Sequence, residues 1–543
     1  MLLKLFNICA FILFIPIYPF VGLFFLTLLS YGALAKRLIR LYYGASFKGF
    51  LEGLDAIWNV ETGSSRSMLN LLFFVESPLE GHSDIPERFL RDIRKTILEK
   101  LKNAPRQPYP RIFWTRRQRF GYCFWTDDSK LTIEDYVRFM EPIGKDGGGG
   151  GGSERKFLDE AQLHEFAGKV SNRHLPNGHA ACWELLIGTE PVRQGKSDTA
   201  TTVKYPMMLR LHHTAGDGMA IVKLILDTIT GNHAALAARI CTPAKPAEEP
   251  NKCGGLKLTQ LLKLGLNGPA IVLRMIFRKT EKSYLSTTKV TNYKVANWHH
   301  EPPVEVPEQA VISIVKRTKQ LVEGGRFSDV FLLALASSFQ KFFDAKGEPA
   351  PEQGISVIVP GRAGSEAKSL KIKNRFTTRH QQLKIGRGVQ LDSPDKLSKL
   401  RQQLSIIAQG STCTRSNASH TVTSWFISTL TGMLPVPMLR LVVHSFRVNV
   451  VFSILPEIEQ VSFQGLRMVD PVLLLPNTGN ISVCLAVLTF GNKVHVGILA
   501  DRTIVSSEEE AHLIVEEVVA EIQRMGKVLD EEQKMTSISF ENE

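Results

Sequence analysis

Residues 209–231, LRLHHTAGDGMAIVKLILDTITG, decide the fold, because an extended segment changes into a helix within a few residues. Side chains alternate between the two faces of a strand, so His213 shares the apolar face and His212 takes the opposite one. The glycines that follow permit a tight turn. Asp217 is placed to cap a helix that begins near Met219 and runs to Gly231. The stretch predicts a strand–turn–helix unit with histidines at the strand end.

His213 is the candidate for chemistry in this unit. It stands at the edge of an apolar face, and the carboxylate of Asp217 follows four residues later. Burial beside such a face keeps an imidazole neutral near pH 7, as a general base requires. The alternatives are a structural histidine or a fragment of a metal site. Because no cysteine or acidic cluster lies nearby and the two histidines face apart, we predict no metal.

Size and composition narrow the class of protein. A chain of 543 residues is long enough for two domains, and 44% hydrophobic with 22% charged residues is the balance of a globular protein. The net charge of +13 favours an anionic partner: nucleic acid, an acidic membrane face or a phosphate-rich cofactor. Seven cysteines, an odd number without CxxC spacing, argue against a disulfide framework or a zinc site and indicate a reducing compartment.

The N-terminus carries the clearest topological signal. No charged residue occurs in residues 5–35, which is longer than a signal-peptide core of about 7–15 residues and long enough for a span of about 20. Pro16 and Pro19 break helices, so a shallow hairpin is the alternative to a single span, and a cleaved signal peptide is the second. Positive charge follows the segment from Lys36 onward, which predicts a cytosolic globular part. We expect an intracellular membrane, the endoplasmic reticulum in a eukaryotic cell.

The remaining pattern predicts a mixed α/β protein in two halves. We expect an anchor at 1–40, an N-terminal half at 41–240, a linker with a basic amphipathic stretch at 241–300, a C-terminal half at 301–527 and a flexible tail at 528–543. The glycine run 147–152 predicts a flexible loop. Ser507 and Glu510 form a capping-box pattern that opens a helix. Its apolar residues recur on one face, which we expect to be buried: Ala511, Ile514, Val515, Val518, Val519 and Ile522. The predicted elements are helices at 88–101 and 162–171, and strands at 206–213, 355–359, 481–488 and 494–500, the last two joined as a hairpin.

Four blocks in order carry a family resemblance. HHTAGDG (212–218) matches the HHxxxDG motif of the superfamily that includes chloramphenicol acetyltransferase and peptide-synthetase condensation domains. GLDAIWNVETGSSRSMLNLLFFVE (53–76) looks like the opening of the wax ester synthase/diacylglycerol acyltransferase family. GRFSDVFLLALASSFQKFF (325–343), followed by ISVIVPGRA and KIKNRFT, is similar to an inner helix of that family. GNISVCLAVLTFGNKVHVGILADRTIVS (479–506) resembles its C-terminal signature, so the resemblance covers roughly residues 53–525.

Three segments depart from the family pattern. The family's Pro-Leu-Trp-Glu appears as Ala181-Cys182-Trp183-Glu184, and its Asn-Asp pair appears as Ser328-Asp329. Its SNVPGP loop appears as FSILPE (452–457). These departures bear on acyl-chain length and acceptor preference, and they leave the HHxxxDG motif intact.

The resemblance implies two chloramphenicol-acetyltransferase-like halves around a channel, with His213 in its middle as general base. Acyl-CoA enters as a co-substrate and a lipid alcohol as acceptor, either diacylglycerol or a long-chain alcohol, and no cofactor is permanently bound. Asp217 has a structural role in this scheme, and His212 supports the base. Asn374 or a backbone N–H near Gly218 is the candidate oxyanion donor.

Two further interpretations concern what the protein binds and whether it is an enzyme. Residues 113–125, FWTRRQRFGYCFW, interleave basic and aromatic residues, which predicts an edge strand facing lipid headgroups or CoA phosphates. Nucleic-acid binding is the alternative for such a mixture, and we do not expect it. From another class of protein, a non-catalytic lipid-binding or scaffold protein that retains the fold is the rival to the enzyme. Hydrolysis is not expected, since no GxSxG elbow is present.

Overall fold

The structure is a computed structural model of the chain. It describes residues 9, 11–51, 53–78, 84–104, 109–128, 130–142, 157–176, 181–192, 202–218, 220, 224, 283–286, 290–362, 374, 376–416, 431–445, 448–455, 457–463 and 465–541. The glycine run 147–152, the linker 241–253, the basic stretch 257–279 and most of the helix expected after the histidines lie outside the described residues.

Within these ranges helices and strands alternate along the chain. The α-helices are α1 (Tyr18–Tyr43), α2 (Leu54–Ile57), α3 (Ile85–Ile97), α4 (Ile133–Tyr136), α5 (Glu160–Ser171), α6 (Val311–Thr318), α7 (Phe327–Lys346), α8 (Lys396–Ser416), α9 (Val436–Ser445) and α10 (Glu508–Glu541). The strands are β1 (Phe47–Phe50), β2 (Met68–Pro78), β3 (Thr115–Arg119), β4 (Tyr122–Thr126), β5 (Val137–Phe139), β6 (Trp183–Ile187), β7 (Thr202–His212), β8 (Lys294–His300), β9 (Ile355–Arg362), β10 (Phe376–Leu383), β11 (Val450–Ile454), β12 (Ser462–Phe463), β13 (Leu466–Leu474), β14 (Val483–Phe490) and β15 (Lys493–Asp501).

Two six-stranded mixed sheets form the body of the molecule. The first has the order β12-β13-β2-β7-β6-β5, and the second has the order β10-β9-β11-β14-β15-β8. Strands β12 and β13 come from the C-terminal half but pair with the sheet of the N-terminal half, where β13 runs antiparallel to β2. This exchange ties the two halves together next to β7, the strand that ends at the histidines. The mixed α/β fold in two halves is therefore confirmed.

Local sequence predicted most of these elements correctly. The strands expected at 206–213, 355–359, 481–488 and 494–500 are β7, β9, β14 and β15, and the two expected helices are α5 and the run from α3 through a π turn to Lys102. The β14–β15 hairpin turns at Gly491 and Asn492, both with positive φ. The predicted apolar face of α10 is buried, and Ser507 Oγ accepts the N–H of Glu510 at 3.3 Å.

A buried ion pair connects β7 to the neighbouring strand β6. Arg210, two residues before His212, pairs with Glu184 on β6, and neither side chain is accessible to solvent. Arg138 donates to the same carboxylate at 2.6 Å, and Asn70 Oδ1 accepts from Arg210 Nε at 3.3 Å. Since an unpaired buried charge is costly, this network fixes the register of β7 against its neighbours. Glu184, the last residue of the Ala181-Cys182-Trp183-Glu184 segment, therefore has a structural role in this network.

The N-terminal segment is a helix rather than a bent hairpin over its described length. Pro19 lies in the first turn of α1, where the missing N–H costs nothing, and Pro16 lies in the short 3-10 turn just before it. Residues 11–46 are long and apolar enough to cross a membrane by length and composition, although a signal sequence has the same character. The second half of α1 is packed: Gly32, Ala35 and Ile39 are buried against β4, and Leu28 contacts the core.

The chain beyond residue 528 differs from the flexible tail that the sequence predicted. Helix α10 continues to Glu541 because it has partners: Val528 is buried, and Arg317 pairs with Asp530 at 2.6 Å. Strand β8, at 294–300, belongs to the second sheet although the sequence placed it in the linker. The division into domains otherwise stays a prediction.

Candidate active site

His213 follows β7 directly and begins the turn that leads to Asp217. Its N–H donates to the carbonyl oxygen of Ser67 at 2.7 Å, which closes the end of the β2–β7 ladder. The side chain is buried, at 6% exposure. Burial lowers the pKa of His213 to about 3, so the ring is neutral throughout the physiological range.

Asn374, from the C-terminal half, holds this ring. Its Oδ1 lies 2.9 Å from Nδ1 of His213, and its Nδ2 donates to the carbonyl oxygen of His213 at 2.6 Å. The second Nδ2 hydrogen goes to Oδ1 of Asp55 at 2.8 Å. Because both amide hydrogens are used, Oδ1 is the acceptor, and it receives the Nδ1 proton of His213. The proton is therefore fixed on Nδ1, and the lone pair of the neutral ring lies on Nε2.

Asp55 is in turn fixed by a cation. Arg111 Nη2 lies 2.5 Å from Asp55 Oδ2 and donates to the carbonyl oxygen of Thr214 at 3.2 Å. The guanidinium also lies over the ring of Trp125, 4.8 Å from its centroid. A chain of contacts thus runs from Arg111 through Asp55 and Asn374 to the imidazole, and it joins both halves of the molecule.

Two aromatic side chains cover His213. The ring of Trp58 is stacked on the imidazole, with centroids 3.7 Å apart and planes inclined by 11°. Phe376, two residues after Asn374, meets the imidazole edge-on at 5.9 Å. These rings exclude water from one side of the histidine, which explains the direction of its pKa shift.

His212 has different surroundings. Its Nδ1 accepts the N–H of Thr214 at 3.2 Å, and its Nε2 lies 3.0 Å from Oε1 of Glu61 and 2.5 Å from Nη1 of Arg116. Arg116 also pairs with Glu61, at 3.1 Å. Burial, and then the charge of Arg116, lower the pKa of His212 to about 4. Since both ring nitrogens have protein partners, the ring is part of a fixed polar cluster.

Asp217 and Gly218 occupy the turn after the histidines. Asp217 Oδ1 accepts the N–H of Ala220 at 3.0 Å, the bond of a helix cap that the sequence predicted. A Cβ on Gly218 would lie 3.2 Å from Cδ2 of Leu455, which comes from the C-terminal half. The turn is therefore pressed against the other half of the molecule.

The structure changes the interpretation of Asn374. We expected it as an oxyanion donor, but both of its Nδ2 hydrogens are bound within the protein, to His213 and Asp55. Its side chain instead holds the ring and the backbone of His213. The sequence analysis assigned no active-site role to Asp55, Trp58, Glu61, Arg111 and Arg116. The first three lie in the opening block GLDAIWNVETG. The resemblance of this block to the acyltransferase family was therefore the one feature of the sequence that pointed to them.

One group of side chains has the composition of a metal site. The ligand atoms of His300, Asp470 and His495 lie within 4.8 Å of one another, and the two Nδ1 atoms are 2.8 Å apart. Lys204 Nζ pairs with Asp470 at 2.6 Å, so a cation already occupies the carboxylate. The other ring nitrogen of His495 is buried without a hydrogen-bond partner among the described residues, whereas metal-bound histidines donate that proton to an acceptor. These features fit a polar contact between the sheets.

Comparison with known proteins finds similarity in sequence and in fold. Residues 389–525 match the model of the WS/DGAT C-terminal domain. A probable diacylglycerol O-acyltransferase of Mycobacterium tuberculosis is 20% identical over 384 residues, which cover 68% of this chain and 77% of that protein. A putative diacylglycerol O-acyltransferase of Mycobacterium bovis matches over the same length at the same identity.

Two solved structures share the fold. The wax ester synthase/diacylglycerol acyltransferase of Marinobacter aquaeolei VT8 superposes with a TM-score of 0.54 at 14% identity, covering 88% of this chain and all of that one. The trichothecene 15-O-acetyltransferase of Fusarium sporotrichioides gives 0.56 at 10% identity, covering 89% and 98%. The chain thus matches the wax ester synthase/diacylglycerol acyltransferase family in its C-terminal domain, and it shares the fold of that family's solved structure over most of its length.

Proposed function

We propose that this acyltransferase moves a fatty acyl group from acyl-CoA to the hydroxyl of a lipid alcohol, with His213 as general base. One observation carries the proposal: Asn374 Oδ1 lies 2.9 Å from Nδ1 of His213, while both amide hydrogens of Asn374 are bound to other oxygens. This arrangement assigns the proton to Nδ1 and the lone pair to Nε2. A base must be neutral before it acts, and the low pKa of His213 meets that requirement.

The reaction needs one proton to move twice. Nε2 of His213 takes the hydroxyl proton as the alcohol oxygen bonds to the thioester carbonyl carbon. The tetrahedral intermediate then expels the CoA sulfur, and the imidazolium returns the proton to that sulfur. The products are an ester and free CoA thiol, and no acyl group becomes bound to the enzyme. A backbone N–H near Gly218 is the proposed donor to the oxyanion.

The surroundings of the ring support this cycle. Asn374 Oδ1 stays hydrogen-bonded to Nδ1 when the ring becomes charged, and Asp55 stands behind Asn374 at 2.8 Å. A fixed orientation avoids the loss of rate that follows small misplacements of a catalytic group. His212, held by Glu61 and Arg116, supports the turn and takes no part in proton transfer.

The acceptor is diacylglycerol, giving triacylglycerol, or a long-chain alcohol, giving a wax ester. The relatives carry both names, and the aromatic cover of His213 by Trp58 and Phe376 suits either apolar substrate. Acyl-CoA serves as a co-substrate rather than a resident cofactor. We place the enzyme on an intracellular membrane, the endoplasmic reticulum in a eukaryote, with α1 as the anchor and the catalytic halves in the cytosol.

The test is acyl transfer by membranes that contain the full chain, with labelled acyl-CoA and a panel of diacylglycerols and long-chain alcohols. His213→Gln should lower turnover about 10²–10⁴-fold, the usual share of general acid–base catalysis. His299→Gln, at a half-buried histidine of β8, is the matched control and should keep wild-type turnover.

Two outcomes would contradict the proposal. Turnover unchanged in His213→Gln would remove the histidine from the mechanism. Wild-type protein that binds labelled lipid but forms no ester with any acceptor would favour the rival, a non-catalytic lipid-binding or scaffold protein.

A further inference from the structure

The β3–β4 hairpin places an exposed aromatic tip beside the apolar helix α1. Phe120 is the tip residue, is 51% exposed and has a φ of 49°, a conformation that costs energy in a residue other than glycine. Its carbonyl oxygen accepts the hydroxyl proton of Tyr31 at 3.3 Å, so the tip touches α1. Because the exposed ring of Phe120 and the apolar surface of α1 lie side by side, an apolar environment that covers both would stabilise them.

The point of contact fixes how deep the tip lies. Tyr31 precedes Lys36, the first charged residue after the apolar run, by five residues. At a rise of about 1.5 Å per residue, Tyr31 lies roughly 7.5 Å further along the helix than Lys36, on its uncharged side. Any bilayer that covers the uncharged part of α1 up to Lys36 therefore also covers the tip of the hairpin.

The hairpin is packed on α1 and on the C-terminal half. A Cβ on Gly32 would lie 2.8 Å from the hydroxyl oxygen of Tyr122, so this glycine permits a close approach of helix and strand. The same hydroxyl donates to the carbonyl oxygen of Met433 at 3.1 Å. The N–H of Val436 donates to the carbonyl oxygen of Gly121 at 2.7 Å. These contacts hold the position of the tip relative to the helix.

Cations and aromatic rings surround the base of the hairpin. A surface groove of about 540 Å³ lies between the end of α1 and β3 and is lined by Tyr43, Arg116, Arg117, Gln118, Arg119 and Phe120. Arg119 lies over the ring of Tyr42 at 5.0 Å and bonds the hydroxyl of Tyr43 at 3.2 Å. Aromatic and basic residues in this combination are typical of the headgroup level of a membrane, where anionic phosphates attract the cations.

We infer that the β3–β4 hairpin is a second membrane contact, whose tip Phe120 enters the acyl-chain boundary of an anionic bilayer while Arg119 binds headgroup phosphates. The inference rests on the membrane placement proposed above. The hairpin also connects the membrane contact to the active site, because Arg116 of the same strand contacts His212. Four residues of strand span about 13 Å, so the histidine motif lies within a short distance of the bilayer that holds the lipid acceptor.

The first experiment replaces Phe120 with photoreactive benzoyl-phenylalanine in the full chain, reconstituted in vesicles of phosphatidylcholine and phosphatidylserine. Irradiation should give a phospholipid adduct at this position, identified by mass spectrometry. The matched control is benzoyl-phenylalanine at Tyr293, which is 71% exposed and follows the linker before β8. Adducts at Phe120 alone support the inference. Adducts at neither position, equal adducts at both, or a protein adduct at Phe120 in place of lipid would overturn it.

The second experiment reverses the charge of Arg119. In vesicles with phosphatidylserine, Arg119→Glu should lower transfer to a bilayer-borne diacylglycerol about tenfold, while Arg502→Glu, an exposed arginine beside Tyr293, should leave it unchanged. In detergent with a dispersed long-chain alcohol both variants should match the wild type. Equal activity of Arg119→Glu and wild type in vesicles would contradict the hairpin's role, whereas loss of activity by the wild type in both systems would contradict the proposed function instead.

Discussion

At the scale of single residues, the site depends on an amide that connects two halves of the chain. The side chain of Asn374 makes three hydrogen bonds, two to His213 and one to Asp55, and Phe376, two residues later, covers the same imidazole. An asparagine can serve both as acceptor for Nδ1–H and as donor to the histidine's own carbonyl oxygen, a combination that a carboxylate lacks. This selects the tautomer of the proposed base, with the proton on Nδ1 of His213.

Asn374→Ala tests that role. Without the acceptor at Nδ1 the ring loses its fixed orientation, so kcat should fall roughly 10–10²-fold while KM for acyl-CoA changes little. The check is steady-state kinetics beside Asn480→Ala, which removes a 2.9 Å bond to the carbonyl oxygen of His444 away from the imidazole. An equal fall in both variants would point to general destabilisation.

Asp217 has a separate, structural role in our scheme. Its carboxylate caps the helix after the turn through the N–H of Ala220. Asp217→Ala should cost about 0.5–2 kcal/mol of stability, while Asp217→Asn should keep most of it, because an amide oxygen can also accept that bond. Thermal melts and turnover of both variants decide the matter. If both melt like the wild type and both are inactive, Asp217 takes part in the chemistry.

At the scale of elements, α1 combines an exposed apolar part with a packed end. Gly32, Ala35 and Ile39 are buried, whereas the preceding turns expose large residues such as Phe20 and Leu26. The anchor predicted at 1–40 therefore includes residues that belong to the folded body. Lys36, over the rings of Phe50 and Tyr122, marks the same boundary.

Two truncations separate these parts. Removal of residues 1–28 should move the protein from the carbonate-resistant pellet toward the supernatant and leave transfer to a dispersed alcohol. Removal of residues 1–43 also uncovers Tyr122 and Phe124, so it should lower the melting temperature and favour aggregation. Fractionation and melting of the two forms check this. A full-length chain found free in the supernatant would refute the anchor.

At the scale of the whole molecule, buried neutral histidines make stability depend on pH. Burial lowers the pKa values of His164, His212 and His495 to about 4, and those of His213 and His300 to about 3. Unfolding returns each to its ordinary value near 6.5. Their contribution to stability is thus complete above pH 6.5 and is lost as pH falls toward the folded values. The raised pKa of Glu521, due to burial, acts in the opposite direction.

We expect the melting temperature to fall between pH 7 and pH 5, with each of these histidines contributing up to about 2 kcal/mol of lost stability. His164→Gln isolates one contribution, since the rest of the chain is unchanged. Its melting temperature should fall less steeply over the same interval than that of the wild type. Identical slopes would show that folding does not lower the pKa of His164.

The sequence by itself determined what depends on neighbours along the chain. It predicted the strands β7, β14 and β15, the turn at Gly491, the buried face of α10 and the place of His213 after a strand. These follow from side-chain alternation, helical periodicity and turn chemistry, which act over a few residues. The family resemblance came from short ordered motifs of the same local kind.

Only the tertiary structure decided what surrounds the imidazole. Asp55, Arg111 and Asn374 are 158, 102 and 161 residues from His213 along the chain, and the tertiary fold brings these side chains together. The helical run of residues beyond 528 and the contact of Phe120 with α1 were likewise set by distant partners. Local pattern carries no information about which hydrogen-bonding group will face which across the fold, because that depends on how the sheets pair.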